Sequence, residues 1–267
     1  MFKYSFEVSV VTDKGNIKKV NQDNILVNIG EYNHEDFGVF VVCDGVGGLS
    51  SGEMASAIAV KNLQEWWNQE IDNLIQNFIE EEIKNSLTNI INKINKEIIE
   101  YSKANNSKMG TTLSLLLLIK KKYYIAHVGD SRIYKINKDI KQLTEDQSYV
   151  AMKVKNGEMT KEEAEKSSKK NLLLQCIGVK ENLNIFFSSG KLKKSDVFIV
   201  CSDGFYKTYP QKEILHQIFS WKKNNYKEPQ KFAKDMVEKA KEYGEKDNIS
   251  IIIVKSKNRL GDFIWKR

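Results

Sequence analysis

The sequence is poor in the residues that mark linkers between domains. It contains only two prolines, Pro210 and Pro229, and no Gly/Ser-rich stretch divides it. Because flexible linkers are rich in these residues, we expect one domain at 1–257, followed by a tail at 258–267. An apolar fraction of 41% is enough for a packed core and argues against disorder.

Cysteines are also few. The three of them, Cys43, Cys176 and Cys201, lie far apart, without the spacing of a disulfide framework or a zinc site. Cys43 and Cys201 lie inside apolar runs. We therefore expect buried free thiols in a reducing compartment.

No apolar run is long enough to cross a membrane. The longest, Leu113 to Ile119, is far shorter than the roughly 20 residues that a membrane-spanning helix needs. Charged and apolar residues alternate from Met1 to Val11, so this segment lacks the apolar core of a secretory signal. We expect a cytoplasmic protein that binds no membrane.

Acidic residues are outnumbered by basic ones, 35 to 42, which gives a formal net charge of +7. Such an excess can attract nucleic acid or phosphorylated partners. The lysines, however, occur in small clusters between apolar segments, such as Lys120 to Lys122 and Lys191 to Lys194. No aromatic residues alternate with them, so we interpret them as solvated turns and expect no nucleic-acid partner.

Strand and helix patterns occur in blocks rather than in strict alternation, which favours the α+β class. Alternating or wholly apolar patterns predict strands at 4–11, 24–29, 37–43, 112–119, 123–128, 131–136, 183–187, 197–201 and 249–254. Spacings of three and four predict helices at about 51–67, 71–105, 211–219 and 230–243. The buried face of the first helix would contain Met54, Ala57, Ile58 and Leu63. The second helix could break near Ser86.

Five short stretches place an aspartate where a strand ends and a tight turn begins. These residues are scattered along the chain: Asp23, Asp44, Asp130, Asp203 and Asp247. A single Asp-Gly pair is a common turn, but Asp44 and Asp203 each precede a glycine at the end of a buried strand pattern. Carboxylates at strand ends suit hard divalent cations, which assist phosphate hydrolysis. The pattern predicts a metal site assembled from distant pieces of a sheet.

Two further motifs lie beside these aspartates. Gly110-Thr111-Thr112 is a turn of small residues that precedes a strand. Arg132 follows Asp130 by two residues. We expect this arginine either to orient the Asp130 carboxylate or to form a simple salt bridge with it.

The order and spacing of the motifs resemble the metal-dependent protein phosphatases, the type 2C serine/threonine phosphatases, in their bacterial form. The resemblance extends from about Glu7 to Val254 and depends on the stretches 15–23, 44–56, 110–112, 128–134, 143–148, 202–204 and 247–249. It implies a four-layer α-β-β-α sandwich, in which helices flank two antiparallel sheets. It also implies a flap lobe near the active site, at about 147–178.

The resemblance also implies a set of metal ligands. Asp44 would bridge two Mn²⁺ or Mg²⁺ ions, and the backbone carbonyl of Gly45 would bind one of them. Asp203 and Asp247 would complete the site of the other ion. Asp23 would serve the second ion, directly or through water.

Activity and partners are implied in the same way. A water that bridges the two ions would attack the phosphorus of phosphoserine or phosphothreonine in proteins, without a covalent phosphoenzyme. A weaker third ion is possible between Asp130 and Asp203. The implied partners are phosphorylated proteins, including a cognate serine/threonine kinase and its substrates, and we expect the protein to be a monomer.

The sequence departs from the family pattern at the phosphate clamp. Lys18 occupies the position of an arginine that grips substrate phosphate in the family. We expect Lys18 to be the catalytic and substrate-binding residue there. Because lysine cannot form the two-pronged contact of arginine, we expect weaker substrate binding.

A second departure concerns the general acid. Val46 and Leu49 stand where members often have a histidine in or after the Asp-Gly-x-Gly-Gly turn. His34, His127 and His216 fall in a loop, a strand and a helix, and we interpret them as structural. Without a histidine acid, activity should depend on the leaving group.

One alternative function stays open. A pseudophosphatase would bind phosphorylated partners with little turnover, and the two departures favour it. The five retained aspartates argue against it, because clustered buried carboxylates repel each other unless a metal ion compensates.

Overall fold

The computed structural model of the chain describes residues 3–46, 51–223 and 228–258. The strands in these ranges are β1 (Tyr4–Asp13), β2 (Asp23–Tyr32), β3 (Glu35–Asp44), β4 (Leu113–Ile119), β5 (Lys122–Val128), β6 (Arg132–Ile136), β7 (Ile140–Gln142), β8 (Phe186–Lys191), β9 (Val197–Cys201) and β10 (Ile249–Asn258). The helices are α1 (Gly52–Gln76), α2 (Glu80–Ala104), α3 (Tyr149–Lys155), α4 (Lys161–Lys166), α5 (Asp203–Tyr206), α6 (Gln211–Lys223) and α7 (Pro229–Glu242). Beyond Asn258, the predicted tail lies outside the described residues.

The strands of the described residues form two five-stranded sheets in which neighbouring strands are antiparallel. The β1 sheet has the order β1-β10-β9-β6-β7, and the β2 sheet has the order β2-β3-β4-β5-β8. The sheets face each other across a buried apolar layer, in which the rings of Tyr123 and Phe198 lie 5.6 Å apart. The two sheets therefore form a sandwich.

Helices cover the outer face of each sheet, so the central strands are buried on both sides. In β3, Phe40 and Val42 face the other sheet, whereas Val39, Val41 and Cys43 face helices α1 and α2. This alternation follows from the two-residue period of a strand and explains why β3 reads as a continuous apolar run. Helices α6 and α7 cover the β1 sheet in the same way. The four-layer α-β-β-α sandwich is thus confirmed.

The prediction for the two long helices was wrong in detail. Helix α1 continues to Gln76, and the break lies at Asn77–Ile79, where Ile79 has an extended backbone. Ser86 lies inside α2, and its hydroxyl accepts a hydrogen bond from the indole of Trp66 at 2.7 Å. The residue expected to break the helix instead joins α1 to α2.

The predicted buried face of α1 was also partly wrong. Met54 is 40% exposed, whereas Ala55 and Ala59 are fully buried together with Leu63. Alanines at this spacing allow the helix to approach the β2 sheet closely, and a pattern based on large apolar residues overlooks them. The helix face is therefore rotated from the expected one.

The expectation of buried free thiols holds for two of the three cysteines. Cys43 and Cys201 are buried free thiols, and Cys176 is a half-buried one. No helix in the described part of the chain is both long and apolar enough to cross a membrane.

Candidate active site

Strand ends from both sheets meet at one end of the sandwich, and the predicted aspartates lie there. Asp44 ends β3 directly opposite Asp23, the first residue of β2. Asp203 begins α5 just after β9, Asp247 precedes β10, and Asp130 lies between β5 and β6. The negative charges of the other four aspartates all act on the Asp44 carboxyl. The structure therefore brings the five residues into one cluster.

Ser202 bridges the two sheets within this cluster. Its hydroxyl donates to Oδ2 of Asp23 at 2.8 Å and accepts from the amide of Ser250 at 2.9 Å. Asp23 belongs to the β2 sheet, and Ser202 and Ser250 belong to the β1 sheet side. One oxygen of Asp23 is therefore fixed by the opposite sheet.

Gly204 allows the segments that carry Asp203 and Asp247 to approach each other. A Cβ atom on Gly204 would lie only 2.1 Å from the carbonyl oxygen of Asn248 and 3.5 Å from Cβ of Asp247. No other residue type fits at this distance. The glycine after Asp203 is therefore required for packing, in addition to any role in a turn.

Three segments converge on Gly45 in a similar way. A Cβ atom there would lie 2.4 Å from the carbonyl oxygen of Gly52 and 2.7 Å from that of Gln22. The Gly45 amide donates to the Gln22 carbonyl at 3.1 Å. The backbone at Asp44-Gly45 is thus held between the start of α1 and the segment before β2.

The turn Gly110-Thr111-Thr112 fixes the backbone of Asp44. The hydroxyl of Thr111 donates to the Asp44 carbonyl at 3.0 Å, and the hydroxyl of Thr112 accepts from the Asp44 amide at 3.0 Å. Thr112 also shares a hydrogen bond of 2.8 Å with the hydroxyl of Ser131, next to Asp130. This motif therefore connects two of the site aspartates.

Lys18 lies in a loop that Asn248 holds against the site. The Asn248 amide group donates to the carbonyls of Lys14 and Val20, at 2.9 and 3.1 Å, and its oxygen accepts from the Gln22 amide at 2.9 Å. The Lys18 ammonium lies 2.7 Å from Oδ1 of Asp247. The predicted phosphate-binding lysine is thus placed at the aspartate cluster.

Arg132 pairs with Asp146 rather than with Asp130, so the expected salt bridge to Asp130 was wrong. Its guanidinium donates to both oxygens of Asp146, at 2.6 to 3.1 Å, and lies 3.6 Å above the ring of Tyr206. The hydroxyl of Tyr206 in turn donates to the backbone carbonyl of Asp130 at 2.9 Å. The arginine therefore positions Asp130 indirectly, through the tyrosine.

Lys207 provides a second cation at the cluster. Its ammonium donates to Oδ2 of Asp203 and, at 2.9 Å, to Oδ1 of Asn171. Asn171 belongs to the segment 147–178, which we call the flap and which contains α3 and α4. Lys207 thus joins an aspartate of the site to the flap.

Burial and mutual repulsion make three of the carboxyl groups, those of Asp23, Asp44 and Asp130, hard to ionise. Burial raises the pKa of Asp44, and the charges of the other aspartates raise it further. Burial likewise raises the pKa of Asp23 and of Asp130, and the charge of Asp203 adds to both. Such a cluster is electrostatically unfavourable unless cations compensate it.

The donor chemistry fits a hard divalent cation. Asp23 is buried, and its Oδ1 has no hydrogen-bond partner. An unpaired buried oxygen costs free energy, and a cation beside it would remove that cost. Among the described residues, no group of three or more His, Cys, Asp or Glu side chains is arranged so that it could hold a metal ion. Lysine ammonium groups instead pair with Asp203 and Asp247.

The three histidines lie in a strand, a turn and a helix. His127 is completely buried in β5, where Nδ1 lies 2.9 Å from the hydroxyl of Ser114 and Nε2 lies 3.0 Å from the Gly129 carbonyl. His34 lies in the turn between β2 and β3, and His216 lies in α6. These positions agree with the structural roles expected for them, while Leu49 lies outside the described residues.

Several residues that build the site were not singled out from the sequence, notably Ser202, Lys207 and Asn171. Ser202 directly precedes Asp203, so the sequence could have indicated that it lies at the site. Nothing in the sequence indicates the contact between Lys207 and Asn171, because it joins residues 36 positions apart.

Comparisons with known proteins cover most of the chain. A family model described as Protein phosphatase 2C matches residues 16–247. The serine/threonine phosphatase stp of Listeria innocua is 34% identical over 247 residues, or 91% of this chain and 93% of that protein. The S. agalactiae serine/threonine phosphatase structure has a TM-score of 0.82 at 28% identity and covers 94% of this chain and 99% of its own. The catalytic domain of PstP, solved with two manganese ions, shares the fold (TM-score 0.78, 21% identity, 96% and 100% covered).

Proposed function

Because the chain belongs to the protein phosphatase 2C family, we propose that it hydrolyses phosphoserine and phosphothreonine in proteins by means of two bound Mn²⁺ or Mg²⁺ ions. The observation that carries this proposal is the convergence of five aspartates from both sheets, one of which has a buried oxygen without a partner. Bound ions would activate a bridging water for attack on phosphorus and neutralise the phosphoryl oxygens.

The proposed ligands are the residues that the fold brings to one end of the sandwich. Asp44 would be shared by both ions, with the Gly45 carbonyl, and Asp203 and Asp247 would complete one site. Asp23 would serve the other ion through its unpaired Oδ1. The hydrogen bonds of Thr111 and Thr112 keep the Asp44 backbone fixed, so its carboxylate needs little rearrangement.

Lys18 would bind the phosphoryl group of the substrate. Its ammonium lies 2.7 Å from Oδ1 of Asp247, in a loop that Asn248 holds in place. A divalent cation at Asp247 would take over the charge compensation that Lys18 now supplies. The ammonium would then be free to contact an anionic substrate.

We further propose that a single domain at 1–257 acts as a cytoplasmic monomer on phosphorylated proteins, among them a cognate serine/threonine kinase and its substrates. The free thiols support a reducing compartment. Pull-down with a phosphorylated kinase domain, and size-exclusion chromatography with light scattering, would test the partner and the monomer.

Phosphate release from p-nitrophenyl phosphate with Mn²⁺ tests the reaction. Asp44→Ala and Asp203→Ala should lower the rate by more than about 100-fold, since even residues behind metal ligands contribute about 10–100-fold. Asp139→Ala, which removes an exposed carboxylate in the turn between β6 and β7, should leave the rate unchanged. Equal activity in all four proteins would exclude the proposed site.

The same assay tests the pseudophosphatase alternative, which the lysine pairs on Asp203 and Asp247 favour. Under that alternative, the unaltered protein binds Mn²⁺ and a phosphopeptide in calorimetry but releases no phosphate. Turnover that depends on Asp44 and Asp203 would rule it out.

A further inference from the structure

The ammonium group of Lys207 lies among the carboxylates proposed to bind metal ions. It donates to Oδ2 of Asp203, a residue four positions earlier in the chain. Its positive charge also acts on Asp130 and on Asp44. The side chain therefore supplies a positive charge that contacts Asp203 and also acts on Asp130.

The local fold keeps the ammonium in this place. Lys207 directly follows α5, and the preceding residue, Tyr206, is tied by its hydroxyl to the Asp130 carbonyl at 2.9 Å. Gly204 holds the start of α5 against Asn248 with no room for a side chain. Both ends of this short segment are thus fixed relative to Asp130 and Asp203.

A second hydrogen bond shows that the Lys207 side chain is held in place rather than extended into solvent. The ammonium donates to Oδ1 of Asn171 in the flap at 2.9 Å, and the side chain is only 28% exposed. A cation tethered at a carboxylate acts at a high effective concentration. An ion from solution would have to displace it from Asp203 and from Asn171 together.

We propose that Lys207 takes the place of a divalent cation between Asp130 and Asp203, so that this chain binds two metal ions and no third one. The inference rests on the proposed function, because it takes Asp203 as a ligand of the two-metal site. An ammonium carries one positive charge and cannot dissociate from the protein. The region around Asp130 is therefore compensated at any metal concentration.

Calorimetric titration of the metal-free full-length protein with Mn²⁺ tests this proposal, with bound manganese counted by elemental analysis after gel filtration. The unaltered protein should bind two ions per chain. Lys207→Met should bind a third, and the double variant Lys207→Met/Asp130→Asn should return to two. Lys207→Arg, which keeps the positive charge, should also bind two.

Lys239→Met is the matched control, because Lys239 pairs with Glu213 between α6 and α7, outside the aspartate cluster. Lys239→Met should bind two ions. This result would show that a third ion in Lys207→Met comes from the loss of the ammonium at Asp203 and not from the loss of one positive charge in general. Circular dichroism checks that each variant folds. If the unaltered protein and folded Lys207→Met both bind two ions, the inference about Lys207 is wrong, but the proposed function stands. Three ions bound to the unaltered protein would also overturn the inference, whether or not the variant folds. No bound Mn²⁺ in the unaltered protein would overturn the proposed function as well.

Discussion

Thr112 and Asp44 are joined by two hydrogen bonds in opposite directions. The Thr112 amide donates to the Asp44 carbonyl at 2.8 Å, and the Asp44 amide donates to the Thr112 hydroxyl at 3.0 Å. Both residues lie at ends of neighbouring strands, where the regular ladder between β3 and β4 has stopped. The threonine side chain continues this pairing beyond the sheet and holds the backbone of the central aspartate.

Thr112→Val should therefore weaken the site without changing the size of the side chain. Removing the hydroxyl leaves the partly buried Asp44 amide without its acceptor, which costs about 1–3 kcal/mol of unfolding free energy. Urea unfolding of the metal-free protein measures this cost, and calorimetry should show weaker Mn²⁺ binding. The control is Thr208→Val, since the Thr208 hydroxyl is buried without a partner. Equal effects of the two substitutions would contradict the role given to Thr112.

Gly204→Ala should separate Asp203 from Asp247. The added methyl group would lie 2.1 Å from the Asn248 carbonyl oxygen, and overpacking of this kind costs about 1–3 kcal/mol. Because two proposed ligands move apart, Mn²⁺ affinity should also fall, which calorimetry measures.

Gly157→Ala is the comparison for that experiment. Gly157 lies in the flap at a φ of +73° with no atom within 4 Å of an added Cβ. An alanine there costs backbone strain of about 1–2 kcal/mol but should leave Mn²⁺ affinity unchanged. Normal affinity in Gly204→Ala would show that the close approach is not needed.

Lys18→Arg should lower KM for phosphopeptides by about fivefold. An arginine can donate two parallel hydrogen bonds to a phosphate where a lysine offers a point charge, and one extra bond contributes about 1 kcal/mol. Steady-state kinetics measure the change, and kcat should stay within a factor of about two. Lys19→Arg, in the exposed neighbouring position, should leave KM unaltered. If Lys18→Arg behaves like Lys19→Arg, Lys18 is not the phosphate clamp.

The enzyme should prefer phosphate esters with good leaving groups. The described histidines are remote from the aspartates or completely buried, as His127 is. General acid catalysis typically contributes about 100-fold or more, and p-nitrophenol leaves without such help. Turnover of p-nitrophenyl phosphate should exceed that of a phosphoserine peptide by at least that factor. Phenyl phosphate, similar in shape but with a poorer leaving group, should fall between the two, and equal rates for all three would disprove the idea.

His127 should make stability depend on pH in mildly acidic solution. Burial lowers its pKa to about 4, below the ordinary value of 6.5, although nearby carbonyls and Asp146 oppose the shift. Between these two values the unfolded chain takes up a proton that the folded protein does not. The contribution of neutral His127 to the free energy of unfolding is therefore fully present above pH 6.5. It is lost as pH falls to about 4, and the total loss is about 3 kcal/mol.

Urea unfolding from pH 4 to 7.5 measures this dependence, with His127→Gln as the test. The free energy of unfolding of the unaltered protein should fall over this pH range, whereas that of His127→Gln should not show this fall. The difference in unfolding free energy between the two proteins should therefore shrink as pH falls. His34→Gln removes a histidine whose side chain is 75% exposed and should follow the unaltered protein. Parallel curves for His127→Gln and the unaltered protein would refute the assignment.

Much of the sandwich could be predicted because its central strands are buried on both faces. Strands such as β3 and β9 contain uninterrupted apolar runs; β3 ends at Asp44, and β9 ends two residues before Asp203. Short elements such as β7 and α5 were missed, since three or four residues show no period. Strand β8 was expected at 183–187 but lies at Phe186–Lys191, because its position is set by pairing with β5.

The sequence predicts only those site residues that belong to a recognisable local motif. Asp23, Asp44 and Asp203 stand at turns with recognisable neighbours. The partners of Arg132 and Lys207 are Asp146 and Asn171, and nothing in the local pattern selects them. Such pairs depend on how distant segments are brought together by the completed fold.

The place of β10 has a consequence for how the protein is made. This strand lies between β1 and β9 in its sheet, and the turn before it carries Asp247 and Asn248. During synthesis, β1 therefore has no sheet partner until β10 has emerged from the ribosome. A chain without β10 and the turn before it lacks both a finished β1 sheet and the proposed ligand Asp247, so the proposed activity requires this segment.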